Sequence, residues 1–178
     1  KAGEGHAEAN ALAQAGDRSK GSTVYVTLEP CSFHGRTPSC AEALIKAGVS
    51  RVVAAREDPD SRNAGKGFEK LRDAGIVVEL LPSESADQLV RGHLKRYCEQ
   101  KPFIRLKLAM TLDGKTALRN GNSKWITSAE ARADVQKLRA ESSAIVTGVQ
   151  TVIDDDPRLQ VREILPEIKH RAEALSVE

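Results

Sequence analysis

Aromatic side chains make up only 3% of this chain, which leaves few platforms on which successive nucleic-acid bases could stack. Its formal net charge is only +2, from 27 Lys and Arg against 25 Asp and Glu. That balance gives no strong electrostatic case for nucleic acid or a membrane surface. No apolar run approaches the roughly 18 residues that would read as a bilayer span. Three cysteines are too few, and odd in number, for a disulfide framework, and they fit a reducing cytoplasm. The sequence also lacks internal repeats and low-complexity stretches. With 40% hydrophobic and 29% charged residues, its 178 residues describe an ordinary globular protein, with room for one domain or one and part of another.

What is present is a concentration of metal-binding chemistry. His6 and Glu8 stand near the start, and Cys31 and Cys40 bracket the segment Pro30-Cys31-Ser32-Phe33-His34-Gly35-Arg36-Thr37-Pro38-Ser39-Cys40. One imidazole and two thiolates make three ligands, which leave the fourth tetrahedral position of a zinc ion open to water, as in catalytic sites. Zinc lowers the pKa of bound water from about 15.7 to about 7. A carboxylate beside it, Glu8, is placed to move the proton, the role the non-ligating Glu has in zinc deaminases. On a helix, residues two apart diverge by about 200°, so His6 and Glu8 cannot both ligate from one face. Gly35, Thr37 and Pro38 between the cysteines read as a loop that wraps around a ligand.

Helix and strand patterns alternate through the first hundred residues. Residues 7–15 read as a helix stopped by Gly16, and the β-branched run within residues 22–28 as a strand. Residues 39–47 read as a helix with Cys40 in its first turn, where the helix N-terminus favours a thiolate. A strand at 51–55, a polar loop at 57–67, a helix at 67–74, a strand at 76–81 and a helix at 83–97 capped by Ser83 complete a βαβα pattern. It implies a largely parallel sheet covered by helices. Cys98 is expected to be a buried or half-buried thiol without chemistry, and His93 and His170 to be solvated. Gln100-Lys101-Pro102 is the best boundary, dividing the chain into residues 1–100 and 101–178. Beyond it a strand is expected at 103–109, turns at Asp113-Gly114 and Asn120-Gly121, and a helix from a Ser128 cap to Arg139. A strand at 144–147 then leads through Gly148 into a short helix, and a polar, helix-prone segment fills 162–178.

These motifs closely resemble the bifunctional deaminase/reductase family of riboflavin biosynthesis. Its pattern around the cysteines, Pro-Cys-Ser-His-x-Gly-(Arg/Lys)-Thr-Pro-Pro-Cys, is departed from at Phe33, with a His instead at His34, and at Ser39. The segments from Lys107 to Lys115, Trp125 to Ser128 and Gly148 to Pro157 are similar to the opening of the family's reductase domain. The resemblance runs from residue 1 to about residue 162. It implies an α/β fold: a cytidine-deaminase-like three-layer domain, then the N-terminal part of a domain like dihydrofolate reductase. Family members carry several dozen residues ahead of this chain's start, including a helix and two strands, and continue beyond residue 178. An internal fragment, with no reductase activity of its own, is therefore expected.

The resemblance further implies zinc held by His6, Cys31 and Cys40, with Glu8 catalytic. It implies NADP(H) contacts at Ala109, Trp125, Thr151 and Asp155, and a ribose-phosphate substrate surrounded by Ser123, Arg139, Leu159 and Arg162. The substrate is a small molecule, a diaminopyrimidinone bearing a ribosylamino 5′-phosphate, and a homo-oligomer is compatible with it; nucleic-acid and membrane partners are not implied. Read from the residues themselves, Arg36 and Thr37 suit a phosphate, although Thr37 could simply cap the following helix. Arg139 and Arg162 also suit a phosphate through paired hydrogen bonds, or are plain surface charges. Gly148 with Thr151 at a helix N-terminus suits a pyrophosphate or is a structural turn. Trp125 could equally anchor the helix after it, Lys107 could face a cleft or solvent, and Asp113 belongs first to a turn. Two alternatives remain: a zinc deaminase of nucleosides or tRNA, weakened by the eight residues between the cysteines, and a structural zinc module, weakened by the spare Glu8.

Overall fold

The protein is described by a computed structural model covering residues 4–162. The described residues divide into two compact units, the first ending at Arg105 and the second beginning at Leu106.

In the first unit, β1 (Thr23–Val26), β2 (Arg51–Ala54) and β3 (Val77–Leu80) form an all-parallel sheet in that order. Parallel neighbours need crossovers, which are the helices α2 (Cys40–Lys46) and α3 (Lys66–Asp73). Val24, Val52 and Val78 align across the three strands. One sheet face therefore presents a row of β-branched side chains. Against it pack Ala41 and Leu44 of α2, Leu71 of α3, and Leu12 of α1 (Ala7–Ala15). Leu44, Leu71 and Phe68 are fully buried, each stabilising the fold by roughly 1.5–3 kcal/mol. On the opposite face Tyr25 and Val77 are exposed, and Arg51 pairs with Glu79.

The helix ends follow their sequence signals. Ser39 accepts a hydrogen bond from Glu42 N–H at 3.3 Å and Ser83 from Ala86 N–H at 3.4 Å, so each caps its helix. Thr37 is thus not the cap of α2. The long helix α4 (Glu84–Glu99) buries only Ala86. Its docking is polar: Arg56 forks onto Asp87 with two bonds of 2.6 Å, and His93 Nε2 lies 2.8 Å from Asp58 Oδ1. His93 is therefore a docking residue, contrary to the expectation that it is solvated. Cys98 is exposed, not buried; α4 attaches through its charged side chains and leaves that thiol outside.

Glu29 joins these parts. It follows β1, is 3% exposed, and its carboxylate accepts from the N–H groups of Asp58 (3.0 Å), Gly65 (2.9 Å), Gly67 (2.7 Å) and Phe68 (3.3 Å). Three of these donors belong to the N-terminus of α3, whose first N–H groups have no partner within the helix. A carboxylate from the end of β1 takes the place of a local cap, and its negative charge meets the positive end of the helix. Gly67 permits the approach: a Cβ there would lie 2.0 Å from the Pro30 carbonyl oxygen.

In the second unit, α5 (Ala129–Ala140) is capped by Ser128, and α6 (Val149–Asp155) follows Gly148. Turns close as expected, Gly114 N–H on Thr111 and Gly121 N–H on Leu118, both at 2.9 Å. The strands expected at 103–109 and 144–147 are not formed. Alternating apolar residues make a strand only against a partner, and none pairs with them among the described residues; Leu106, Leu108 and Val146 are exposed. Residues 163–178, with His170, lie outside the described residues.

Replacing Glu29 by Gln puts an amide donor among four N–H groups. Hydrogen bonds to a charged group contribute about 1.5–3 kcal/mol, so Glu29→Gln is expected to cost about 2–3 kcal/mol. Urea unfolding reads this as a lower midpoint at unchanged slope; an unchanged midpoint would remove Glu29 from this role.

Candidate metal centre

The candidate ligands are gathered where the parallel strands end, the place where open α/β sheets bind their ligands. His6 is the residue immediately before α1, Cys31 follows β1, and Cys40 is the first residue of α2. His6 Nδ1 lies 3.2 Å from Cys40 Sγ and 3.7 Å from Cys31 Sγ. One ligand atom from each of the three side chains falls within 4.8 Å of the others. A tetrahedral zinc with Zn–S of about 2.3 Å and Zn–N of about 2.0–2.1 Å spans N···S edges of about 3.6 Å. The two N···S distances bracket that value, so the donor set fits zinc in both chemistry and size.

The loop between the cysteines is fixed from several sides. Ser39 Oγ donates to the Cys31 carbonyl at 2.8 Å, Ala41 N–H to the same oxygen at 3.1 Å, and Cys40 N–H to Cys31 Sγ at 3.2 Å. From the 57–67 loop the fully buried Asn63 accepts from Ser32 N–H at 2.8 Å and donates to the Pro30 carbonyl at 3.4 Å. Asn63 also donates to Asp58 at 3.4 Å, the residue that holds His93.

The two thiols are unequal. Cys31 is lowered to about 6, first by the Cys40 side chain as hydrogen-bond partner, then by Cys40 N–H and His6 acting against partial burial. Cys40 is pushed well above the usual thiol range by sharing its proton with Cys31, by burial, and by the Glu8 carboxylate nearby. The helix N-terminus was expected to favour the thiolate at Cys40; the pairing of the two sulfurs outweighs it and places the easy thiolate at Cys31. Glu8 is half-buried and stands close enough to Cys40 to act on it.

Around this centre, His34 faces Glu42 of α2 at 3.3 Å, while Phe33 lies under the Arg62 guanidinium, 5.1 Å from the ring centre. Arg36 is exposed, and the half-buried Thr37 turns its hydroxyl to His6 Nε2 at 3.1 Å.

In the second unit Arg139, Leu159 and Arg162 come together. Arg139 Nη1 donates to the carbonyls of Arg158 (3.0 Å) and Gln160 (3.1 Å), either side of Leu159, and Arg162 N–H bonds Gln136 at 2.9 Å. Burial, and then the like charge of Arg162, lower the Arg139 pKa. Ser123 is half-buried, with no bond to this group. Ala109, Trp125, Thr151 and Asp155 share no hydrogen bond or ring contact among the described residues. Trp125, 70% exposed, carries Arg132 at 4.2 Å over its ring, and Thr151 and Asp155 stand exposed on α6.

Sequence reasoning passed over Glu29, Asn63, and the pairing of Asp58 with His93. An acidic residue directly between an apolar strand and Pro30-Cys31 was the available signal for the first; a polar loop gives none for the others.

Two family models match the chain: the cytidine and deoxycytidylate deaminase zinc-binding region over residues 1–56, and the RibD C-terminal domain over residues 102–171. The riboflavin biosynthesis proteins RibD of Haemophilus influenzae and Escherichia coli are each 57% identical to it over 164 residues, 91% of this chain and 44% of theirs. Among solved structures, Acinetobacter baumannii RibD (form 1) matches with a TM-score of 0.84 at 54% identity, over 92% of this chain and 46% of that one. A Thermotoga maritima diaminohydroxyphosphoribosylaminopyrimidine deaminase/5-amino-6-(5-phosphoribosylamino)uracil reductase matches at 0.81 and 38% identity, over 90% and 46%. The chain thus spans less than half the length of these relatives. With a match to a deaminase zinc-binding region ahead of a match to a RibD C-terminal domain, the chain is similar to the RibD proteins in sequence and in α/β fold over about nine-tenths of its own length.

Proposed function

We propose that this chain carries the zinc-dependent deaminase chemistry of riboflavin biosynthesis and part of an NADPH-dependent reductase. The observation that carries the first half is the gathering of His6, Cys31 and Cys40 ligand atoms within 4.8 Å, with Glu8 acting on the Cys40 sulfur. His6, Cys31 and Cys40 would hold the metal. When bound, zinc lowers the pKa of a coordinated water from about 15.7 to about 7. Glu8 takes a proton from the attacking water and passes it to the departing amine. The water's oxygen ends on the ring carbon of a diaminopyrimidinone ribosylamino 5′-phosphate, and ammonia leaves. Arg36, exposed on the inter-cysteine loop, meets the phosphate as a two-pronged donor, with Thr37 beside it.

The reductase half is supported by the match of residues 102–171 to the RibD C-terminal domain and by Arg139 and Arg162 in the second unit. Arg139 and Arg162, with Leu159 and Ser123, would receive the substrate's ribose phosphate. Ala109, Trp125, Thr151 and Asp155 would contact NADP(H), which when bound supplies the hydride that reduces the ribose to ribitol. The boundary proposed between the two activities lies at residues 100–101.

Two outcomes test this. In a chain of the relatives' length, Glu8→Gln should retain zinc yet lose about 10⁴-fold in ammonia release, the upper end for a positioned proton-transfer group. Near-normal release would pass that role to another residue. The 178-residue chain should bind NADPH poorly, because half a site leaves most of the dinucleotide in water. A chain of the relatives' length should bind it, and Thr151→Val should weaken that binding without touching ammonia release. Micromolar NADPH binding by the 178 residues, or lost deamination in Thr151→Val, would contradict the division of labour.

A further inference from the structure

His6 hangs from the end of a nine-residue helix that buries no residue, and its own side chain is exposed. Nothing in the packing of α1 would fix the imidazole's rotation. The ring is nevertheless bonded through both nitrogens. Nδ1 faces the two cysteine sulfurs at 3.2 and 3.7 Å, and Nε2 faces Thr37 Oγ1 at 3.1 Å. A ring nitrogen that ligates a metal cannot carry a proton, so the proton of the neutral ring belongs on Nε2, where Thr37 accepts it.

Thr37 is itself held. Its carbonyl accepts from Gly35 N–H at 3.1 Å, which closes the loop behind it. Pro38 follows, and a residue before proline is confined to extended backbone. Ser39, next again, is fully buried and bonded at both ends, to the Cys31 carbonyl and the α2 N-terminus. The hydroxyl thus sits on a rigid part of the chain while the imidazole does not, so the first orients the second.

We infer that Thr37 is a positioning residue of the metal centre: its hydroxyl accepts the Nε2 proton of His6 and so presents the Nδ1 lone pair to a zinc ion between Cys31 and Cys40. This rests on the zinc reading above and adds to it a role outside the three ligands. Metal-binding histidines usually give their second nitrogen to a carboxylate, a carbonyl or water. Here the loop that supplies both sulfurs supplies that acceptor as well.

The test is zinc affinity of the 178-residue chain by competition with a chromophoric chelator, for wild type, Thr37→Val, Thr37→Ser and Cys40→Ser. Outer-shell partners commonly contribute 10–100-fold to metal affinity. Thr37→Val should bind zinc that much more weakly, and Thr37→Ser, which keeps the hydroxyl, should bind like wild type. Wild-type affinity in Thr37→Val, or an equal loss in Thr37→Ser, would overturn the inference. Equal binding by Cys40→Ser and wild type would overturn the zinc reading itself, and this inference with it. A measurement free of folding effects uses ¹⁵N-labelled, zinc-loaded wild type: two-bond proton–nitrogen correlations should show the His6 proton on Nε2 and the metal on Nδ1. The reverse pattern would refute the assignment whatever the variants do.

Discussion

The Glu29 carboxylate decides how the first unit is assembled. A buried anion is costly unless every lone pair is used, and here four backbone N–H groups from the 57–67 loop and the start of α3 use them. The interaction ties the end of β1 to the entry of α3, elements separated by the whole of α2 and β2. It also fixes where residues 30 and 31 leave the sheet, because Gly67 rests directly against the Pro30 carbonyl. The first cysteine is the very next residue.

From that anchor the metal centre is built outward in short steps. Asn63, on the loop that Glu29 holds, bonds the backbone on both sides of Cys31. Ser39 bonds the Cys31 carbonyl and caps α2, setting Cys40 at the helix start. The two sulfurs then share one proton unequally, with Cys31 the readier thiolate. Only His6 arrives from outside this framework, on a helix with little burial of its own. Its orientation depends on polar contacts, not on packing, which is the physical reason an outer-shell hydroxyl has consequence here.

How much of this was legible in the sequence differs by the range of the forces involved. The His6, Cys31 and Cys40 group was readable because imidazoles and thiols carry distinctive chemistry, and two of the helices because Ser83 and Ser128 announce their starts locally; the Ser39 cap of α2 was not, since Thr37 nearby offered the same signal. The strands of the first unit were readable as β-branched runs within a βαβα order. Glu29 and Asn63 were not, since the backbone groups they bond lie from 29 to 39 residues away and a carboxylate or amide beside a loop ordinarily faces water. His93 was missed for the same reason, its partner Asp58 being 35 residues distant. At 103–109 and 144–147 the apolar pattern was real, yet a strand also needs a neighbour to pair with, which local pattern cannot supply. Arg139 and Arg162 show the same limit: either arginine alone reads as surface charge, and the bonds of Arg139 to the carbonyls on both sides of Leu159 span 19 and 21 residues.

The zinc centre proposed at the strand ends is open, with three protein ligands. X-ray absorption at the zinc edge of the metal-loaded chain addresses it most directly. The expected shell has two sulfurs at about 2.3 Å, one imidazole nitrogen at about 2.0–2.1 Å, and one further light atom from solvent. A shell closed by four protein sulfur and nitrogen ligands, or one without two sulfurs, would contradict the claim.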